Sequence, residues 1–271
     1  MALQLAASIK FTSPDVSITL LHDVKGIGHL HGNKLLMFNN VIEIPKYCYT
    51  NHGRPEYLKS KAYLYELSPY DETIFLDADM LWLPRRPIID LFKEFETINF
   101  TMANRGNIDI TKAKNGFISW ANPTDIINEY NVYGLLYNLS SEFIYFKKCD
   151  EVKALFEQTK KNFENIKIKY MMFASCVPDE LPFTIAMIQT GIYPHTSPYL
   201  PCYWEQFTRK NLPATEIYKN YYAYSCGGNL QDKNVKKFYD NLAQFYCNKF
   251  NLGHYFPLQS KRQFLPERSN I

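Results

Sequence analysis

The chain has 271 residues, enough for one sizeable core, and a single domain over residues 1–271 is expected. Its 46% hydrophobic and 21% charged residues exclude a disordered or fibrous chain, and a net charge of +3 with no long basic run argues against nucleic acid as a partner. The six cysteines (Cys48, Cys149, Cys176, Cys202, Cys226, Cys247) form no C-x-x-C pair. That argues against a structural zinc site or a disulfide scaffold and suits thiols in a reducing, cytoplasmic compartment. No apolar run approaches the length of a membrane span.

In chain order, "MALQLAASIKF" has the apolar spacing of a helix, and "VSITLLHD" reads as a strand after the breaker "SPD". "GIGHLHGN" is a polar loop, and its His29 and His31 are read as loop residues rather than ligands. "NVIEIP" is a short strand closed by Pro45. Residues 55–67 form an amphipathic helix with Pro55 in its first turn. "ETIFLD" is a strand with a nearly continuous apolar run, which predicts a central strand covered on both faces. A helix near 87–95 and strands at "INFTMA" and "SEFIYF" come next. Helices follow at about 150–163, 179–189 and 232–248. The alternation predicts an α/β fold with a mostly parallel central sheet.

The stretch "ETIFLDADMLWL" sets two carboxylates, Asp77 and Asp79, between apolar runs. Carboxylates in such a setting need a partner. Side chains two apart on a strand face the same way, and ligands of α/β sheets gather beyond the carboxyl ends of the strands. Two hard oxygen donors there suit Mn²⁺ or Mg²⁺, which would hold a diphosphate. A solvent-exposed turn after a strand is the plain alternative, because D-x-D alone is a weak signal.

"RPEYLKSKAYLYELSPYDETIFLDADML" resembles the segment that leads into the D-x-D strand of GT-A-fold nucleotide-sugar glycosyltransferases, closest to the family-8 group that includes glycogenin. The resemblance implies a GT-A-like, Rossmann-type domain that transfers a sugar from a nucleotide diphosphate, UDP-linked by family default, to a hydroxyl acceptor with retention. It implies Asp77 and Asp79 as metal ligands, and Lys61, sixteen residues before Asp77, near the donor with Arg54. "GHYFPLQSKRQF" supplies His254 as the third metal ligand and Lys261, seven residues on, as the diphosphate contact. "PDELPFTIAM" places Asp179, with Glu180 beside it, where the family has an acidic residue facing the acceptor and the reacting sugar. Acidic residues are also favoured in a helix's first turn for the dipole alone. Where the family has a glycine in a sugar-contacting loop, "SSEFIYFKK" has Glu142.

In the family a strand and a base-binding loop precede the helix resembled by "MALQLAASIKF". This chain starts inside that helix, so roughly a dozen preceding residues are expected to be missing, since a bare sheet edge is costly. The acceptor is open: a glycan, a lipid, a protein or a modified nucleobase. Two other functions stay in view. One is a non-catalytic GT-A-like binding module. The other is a haloacid-dehalogenase-type phosphatase, which has Thr, Ser or Val at the place held here by Leu81.

Overall fold

A computed structural model of the chain describes residues 1–23, 27, 30, 32–109, 117–173, 175–195, 212–227 and 232–253. These divide into two units. The first takes the described residues of Met1–Glu43, Leu76–Thr97 and Ser197–Arg262, and the second those of Ile44–Phe75 and Ile98–Thr196. Among the described residues no helix is long and apolar enough to cross a membrane.

In the first unit the apolar N-terminal segment forms α1 (Ala2–Thr12), with Leu3, Leu5, Ala6, Ala7 and Ile9 buried. Strands β1 (Thr19–His22) and β2 (Asn40–Glu43) pair in parallel, with Thr19 opposite Asn40 and His22 opposite Glu43. They are the sequence-predicted strands, the first trimmed at both ends and the second at its C-terminal end only. The core of the unit is made by the all-buried β6 (Met80–Trp82), which pairs antiparallel with β9 (Ala223–Ser225). Helix α3 (Ile89–Glu94) and α7 (Ala214–Asn220) flank this pair in sequence. Trp82 shows how the backbone of so short a pair is satisfied. Its N–H donates to Ser8 Oγ of α1 at 2.8 Å, and its carbonyl accepts from the Tyr246 hydroxyl at 2.6 Å. Buried main-chain groups demand such partners.

Tyr246 belongs to α8 (Lys233–Lys249), whose Val235, Tyr239, Leu242, Ala243 and Tyr246 form one apolar stripe at helical spacing. The stripe packs with Leu3, Ala7, Leu81 and Leu83 into a single cluster. Asp232 starts the helix, its Oδ1 accepting from the N–H groups of Asn234 at 2.8 Å and Val235 at 3.1 Å. Asp232→Ala leaves two N-terminal donors of α8 unsatisfied and is expected to cost about 1 kcal/mol. A thermal melt should show this as a fall of roughly 2–4 °C.

The second unit is built on a three-stranded sheet in the order β5–β8–β7, with β5 at Glu72–Leu76, β7 at Phe100–Asp109 and β8 at Leu135–Lys147. β7 and β8 are antiparallel and longer than their sequence patterns suggest. The pairing slips twice, between Met102 and Ala103 and again between Asn104 and Asn107. Among the described residues β5 lies at the edge of this sheet and is half-buried throughout, rather than central and covered. Among the described residues its hydrogen-bonded neighbour strand is β8. The buried Tyr145 of β8 ties it there by donating its hydroxyl to the Glu72 carboxylate.

Helices α5 (Asp150–Glu164) and α6 (Glu180–Thr190) pack on each other. Phe156 is the hub, with ring centroids 5.2 Å from Phe146, 5.7 Å from Phe183 and 6.0 Å from Phe100. Asn162 locks the helices together, its Nδ2 donating to the Pro182 carbonyl at 3.2 Å and to Gln189 Oε1 at 3.1 Å. The helix expected over 55–67 takes another form. Arg54 and Pro55 are the two-residue strand β4, paired with β3 (Thr50–Asn51), and Tyr57–Tyr63 winds as a 3₁₀ helix before one α-turn, α2 (Leu64–Leu67). The tighter winding stacks residues three apart, and both Lys59 and Lys61 end up buried. Helix α4 (Pro123–Tyr130) escapes the periodicity reading. Its signals were Asn122 at the N-cap, accepting from Thr124 N–H at 2.8 Å, and Pro123 at the first position.

Candidate functional site

The sequence-predicted site residues fall in both units, and each group is built locally. In the first unit, Asp77–Ala78–Asp79 is a tight turn between β5 and β6, closed by Met80 N–H donating to the Asp77 carbonyl at 3.1 Å. The strand-alternation argument for the two carboxylates therefore does not apply, because the backbone leaves the extended conformation after Leu76. Both aspartates are half-buried, and one oxygen of Asp79 is shielded from solvent. The β6–β9 register sets Cys226 opposite Asp79, whose carbonyl accepts from the Cys226 N–H at 3.5 Å and from its thiol at 3.2 Å. The turn is anchored on its backbone side.

Two hard oxygen donors on one anchored turn match the chemistry that Mn²⁺ or Mg²⁺ prefers. Among the described residues no group of three or more His, Cys, Asp and Glu is placed to hold a metal. His254 and Lys261 lie outside the described residues, as do His29 and His31.

In the second unit the structure brings together Lys61, Asp179 and Glu180. Lys61, in the 3₁₀ segment, is 8% exposed, and its ammonium lies 2.9 Å from Asp179 Oδ2. The same nitrogen donates to Ser141 Oγ at 3.0 Å and the Ser141 carbonyl at 3.3 Å, and sits 5.4 Å from the Phe75 ring centroid. The ammonium thus has one carboxylate as ion-pair partner and two acceptors on Ser141. Asp179 is 3% exposed and occupies the position just before α6, yet its side chain makes no cap hydrogen bond. Its carboxylate goes to Lys61 instead of capping the helix.

Glu180 opens α6 and is partly buried, its Oε2 accepting from the Trp120 indole N–H at 3.1 Å. Burial, and then the charge of Asp179, pushes its carboxyl up to about 8, against the pull of Lys61, its backbone N–H and Arg105. A group so placed holds its proton at neutral pH, whereas an ordinary glutamate does not.

Both irregularities of the β7–β8 ladder serve this cluster. Ser140 lies opposite Ala103 and Ile144 opposite Met102, so Ser141, Glu142 and Phe143 bulge out of register, and Ser141 reaches Lys61. Arg105 falls in the second slip, where its Nη2 lies 3.4 Å from Ser140 Oγ. Bulges re-aim side chains in this way. Glu142 is half-buried in the first bulge, with one oxygen shielded from solvent. Glu56 supports the approach to α6: it is buried, and Oε1 accepts from the Val177 N–H at 2.7 Å. Burial pushes its carboxyl up as well.

Arg54 is exposed on β4 and is not among the groups that touch Lys61, Asp179 or Glu180; the arginine acting on Glu180 is Arg105. Sequence reading missed Arg105, Ser141, Trp120 and Glu56. A register slip and a strained turn leave no periodic signature.

The arrangement is that of an α/β protein with the fold of a glycosyltransferase. The structure of the bifunctional glycosyltransferase WbbM superposes with a TM-score of 0.60 at 12% identity, over 91% of this chain and 48% of that one. The chain thus spans about half the length of that protein. Mouse xyloside xylosyltransferase 1 is a weaker likeness, with a TM-score of 0.44 at 13% identity over 84% of this chain and 93% of that one. No protein-family model matches the sequence, and no curated protein matches it.

Proposed function

We propose that the chain is a metal-dependent glycosyltransferase of the family-8 type, moving a sugar from a nucleotide diphosphate, UDP-linked by default, to a hydroxyl acceptor with retention in the cytoplasm. The observation that carries this reading is the buried Lys61–Asp179 pair beside a proton-holding Glu180 at the start of α6, in a chain with a glycosyltransferase fold. Structural ion pairs are common, but a buried ion pair beside a carboxyl pushed up to about 8 suits a site with acid–base work to do.

Asp77 and Asp79, with His254 expected from sequence, would hold Mn²⁺ or Mg²⁺, which when bound supplies positive charge to a departing diphosphate. The protein's own residues do the remainder. Lys61 fixes the Asp179 side chain in place, so that its remaining lone pairs can accept from sugar hydroxyls. Glu180 holds a proton below about pH 8. It therefore donates a hydrogen bond at neutral pH and becomes a base only in alkaline solution. Glu142, at the glycine position of the family's sugar-contacting loop, would set a donor preference of this chain's own. A glycan, lipid, protein or modified nucleobase would serve as acceptor.

The test is a panel of nucleotide sugars incubated with the protein and Mn²⁺, read as nucleotide release. At least one donor is expected to be hydrolysed or transferred, with release abolished by chelator. Absence of release from every donor would sink the transferase reading and favour a non-catalytic binding module. For an active donor, proton NMR of the product anomeric centre decides retention.

A further inference from the structure

Ile118 and Ala121 close a two-residue turn by reciprocal backbone hydrogen bonds of 2.9 Å each. Its central residues, Ser119 and Trp120, both have positive φ, at 47° and 70°. Turns of this kind select Asn-Gly or similar pairs, because Cβ crowds the carbonyl in the left-handed region. A tryptophan there is a steric outlier, and such outliers persist only when the surroundings hold them.

Here the surroundings do so with directed contacts. Ser119 Oγ pairs with Thr184 Oγ1 at 2.8 Å, and Ser119 N–H donates to Asn138 Oδ1 at 3.3 Å. The Trp120 carbonyl accepts from Met171 N–H at 2.8 Å, and its ring lies 5.2 Å from that of Phe173. The indole N–H then reaches Glu180. Glu180 and Thr184 are four apart on α6 and so share a face, which means the turn grips one face of the helix at two points. An indole nitrogen can only donate, so its N–H marks the carboxyl oxygen that must accept.

We propose that Trp120 is a positioning residue: its strained turn directs the indole N–H to Oε2 of Glu180 and leaves Oε1 as the oxygen that carries and exchanges the proton. The catalytic meaning of this clamp rests on the transferase reading above. The groups acting on Glu180 besides Trp120 are Asp179 beside it, Lys61, its own backbone N–H and Arg105. Donation to the ionised carboxylate favours that form, so removing the N–H moves the titration of Glu180 to higher pH.

The test reads the clamp without needing activity. The chain has three tryptophans, so the full-length ¹⁵N-labelled protein shows at most three indole signals, and the Trp120 signal is the one lost in Trp120→Phe. Between pH 4.5 and 9.5 that signal should follow one titration, centred near 8, and should stay flat in Glu180→Gln. Glu180→Asp, shorter by one methylene, should weaken the shift. An indole signal that is flat in the wild type, or that titrates undiminished in Glu180→Gln or Glu180→Asp, overturns the proposal. With an active donor in hand, Trp120→Phe should lower kcat roughly tenfold with little change in KM, and should raise the pH of the Glu180 limb by about one unit. A titrating indole in a protein that releases no nucleotide would keep the clamp and discard the transferase. An active enzyme with a flat indole would do the reverse.

Discussion

Lys61→Met is expected to destabilise the protein by about 3–5 kcal/mol, the cost of leaving a buried carboxylate without its cation. Methionine matches the lysine stem in length, so the loss is electrostatic more than steric. Asp179 stays 3% exposed and would face the bulge at Ser141 with no compensating charge. The double variant Lys61→Met/Asp179→Leu removes both charges and should recover most of the stability, because a buried pair contributes little over apolar groups of similar shape. Urea unfolding of the four proteins in the cycle measures the coupling directly. A loss below about 1 kcal/mol for Lys61→Met would mean that the pair behaves as a solvated surface bridge. The double variant should be stable and yet inactive, which separates the folding role of the pair from its proposed role at the sugar.

Asp79→Asn should lower metal-dependent nucleotide release by more than about 100-fold, since even residues behind a metal's direct ligands cost 10–100-fold when changed. The amide keeps the shape of the side chain. The turn's own hydrogen bond and the two contacts from Cys226 all end on backbone carbonyls, so the fold should hold. What changes is a negative charge, and a hard divalent cation binds it strongly. Calorimetric titration with Mn²⁺ in the presence of UDP reads the loss independently of turnover. Stabilisation by Mn²⁺ and UDP that survives Asp79→Asn would remove this aspartate from the metal site.

The two variants also mark where sequence reasoning reached and where it stopped. Asp77 and Asp79 stand out in one dimension, because two carboxylates between apolar runs are conspicuous. Their local geometry did not follow, however: the strand ends at Leu76 and the pair lies in a turn. Lys61 and Asp179 were each named as candidates, but Asp179 could equally have been a helix-start residue. In the structure its side chain goes to Lys61 rather than to the helix N–H groups. Arg54 was drawn from the same segment as Lys61, yet it sits exposed on a two-residue strand. The arginine acting on Glu180 comes from β7, fifty-one residues further along.

From sequence by itself came the α/β class, the positions of α1, α5, α6 and α8, and the acidic candidates, because apolar periodicity and charge in unusual company are local properties of a chain. The tertiary structure alone decided which group each of those acids meets and that burial pushes the Glu180 carboxyl up. Burial and the charge of Asp179, against the pull of Lys61 and Arg105, set Glu180 apart from an ordinary glutamate, and those residues meet through a 3₁₀ segment, two slips in a strand ladder and one strained turn. Such features depend on contacts between residues distant in the chain, which no spacing along it records.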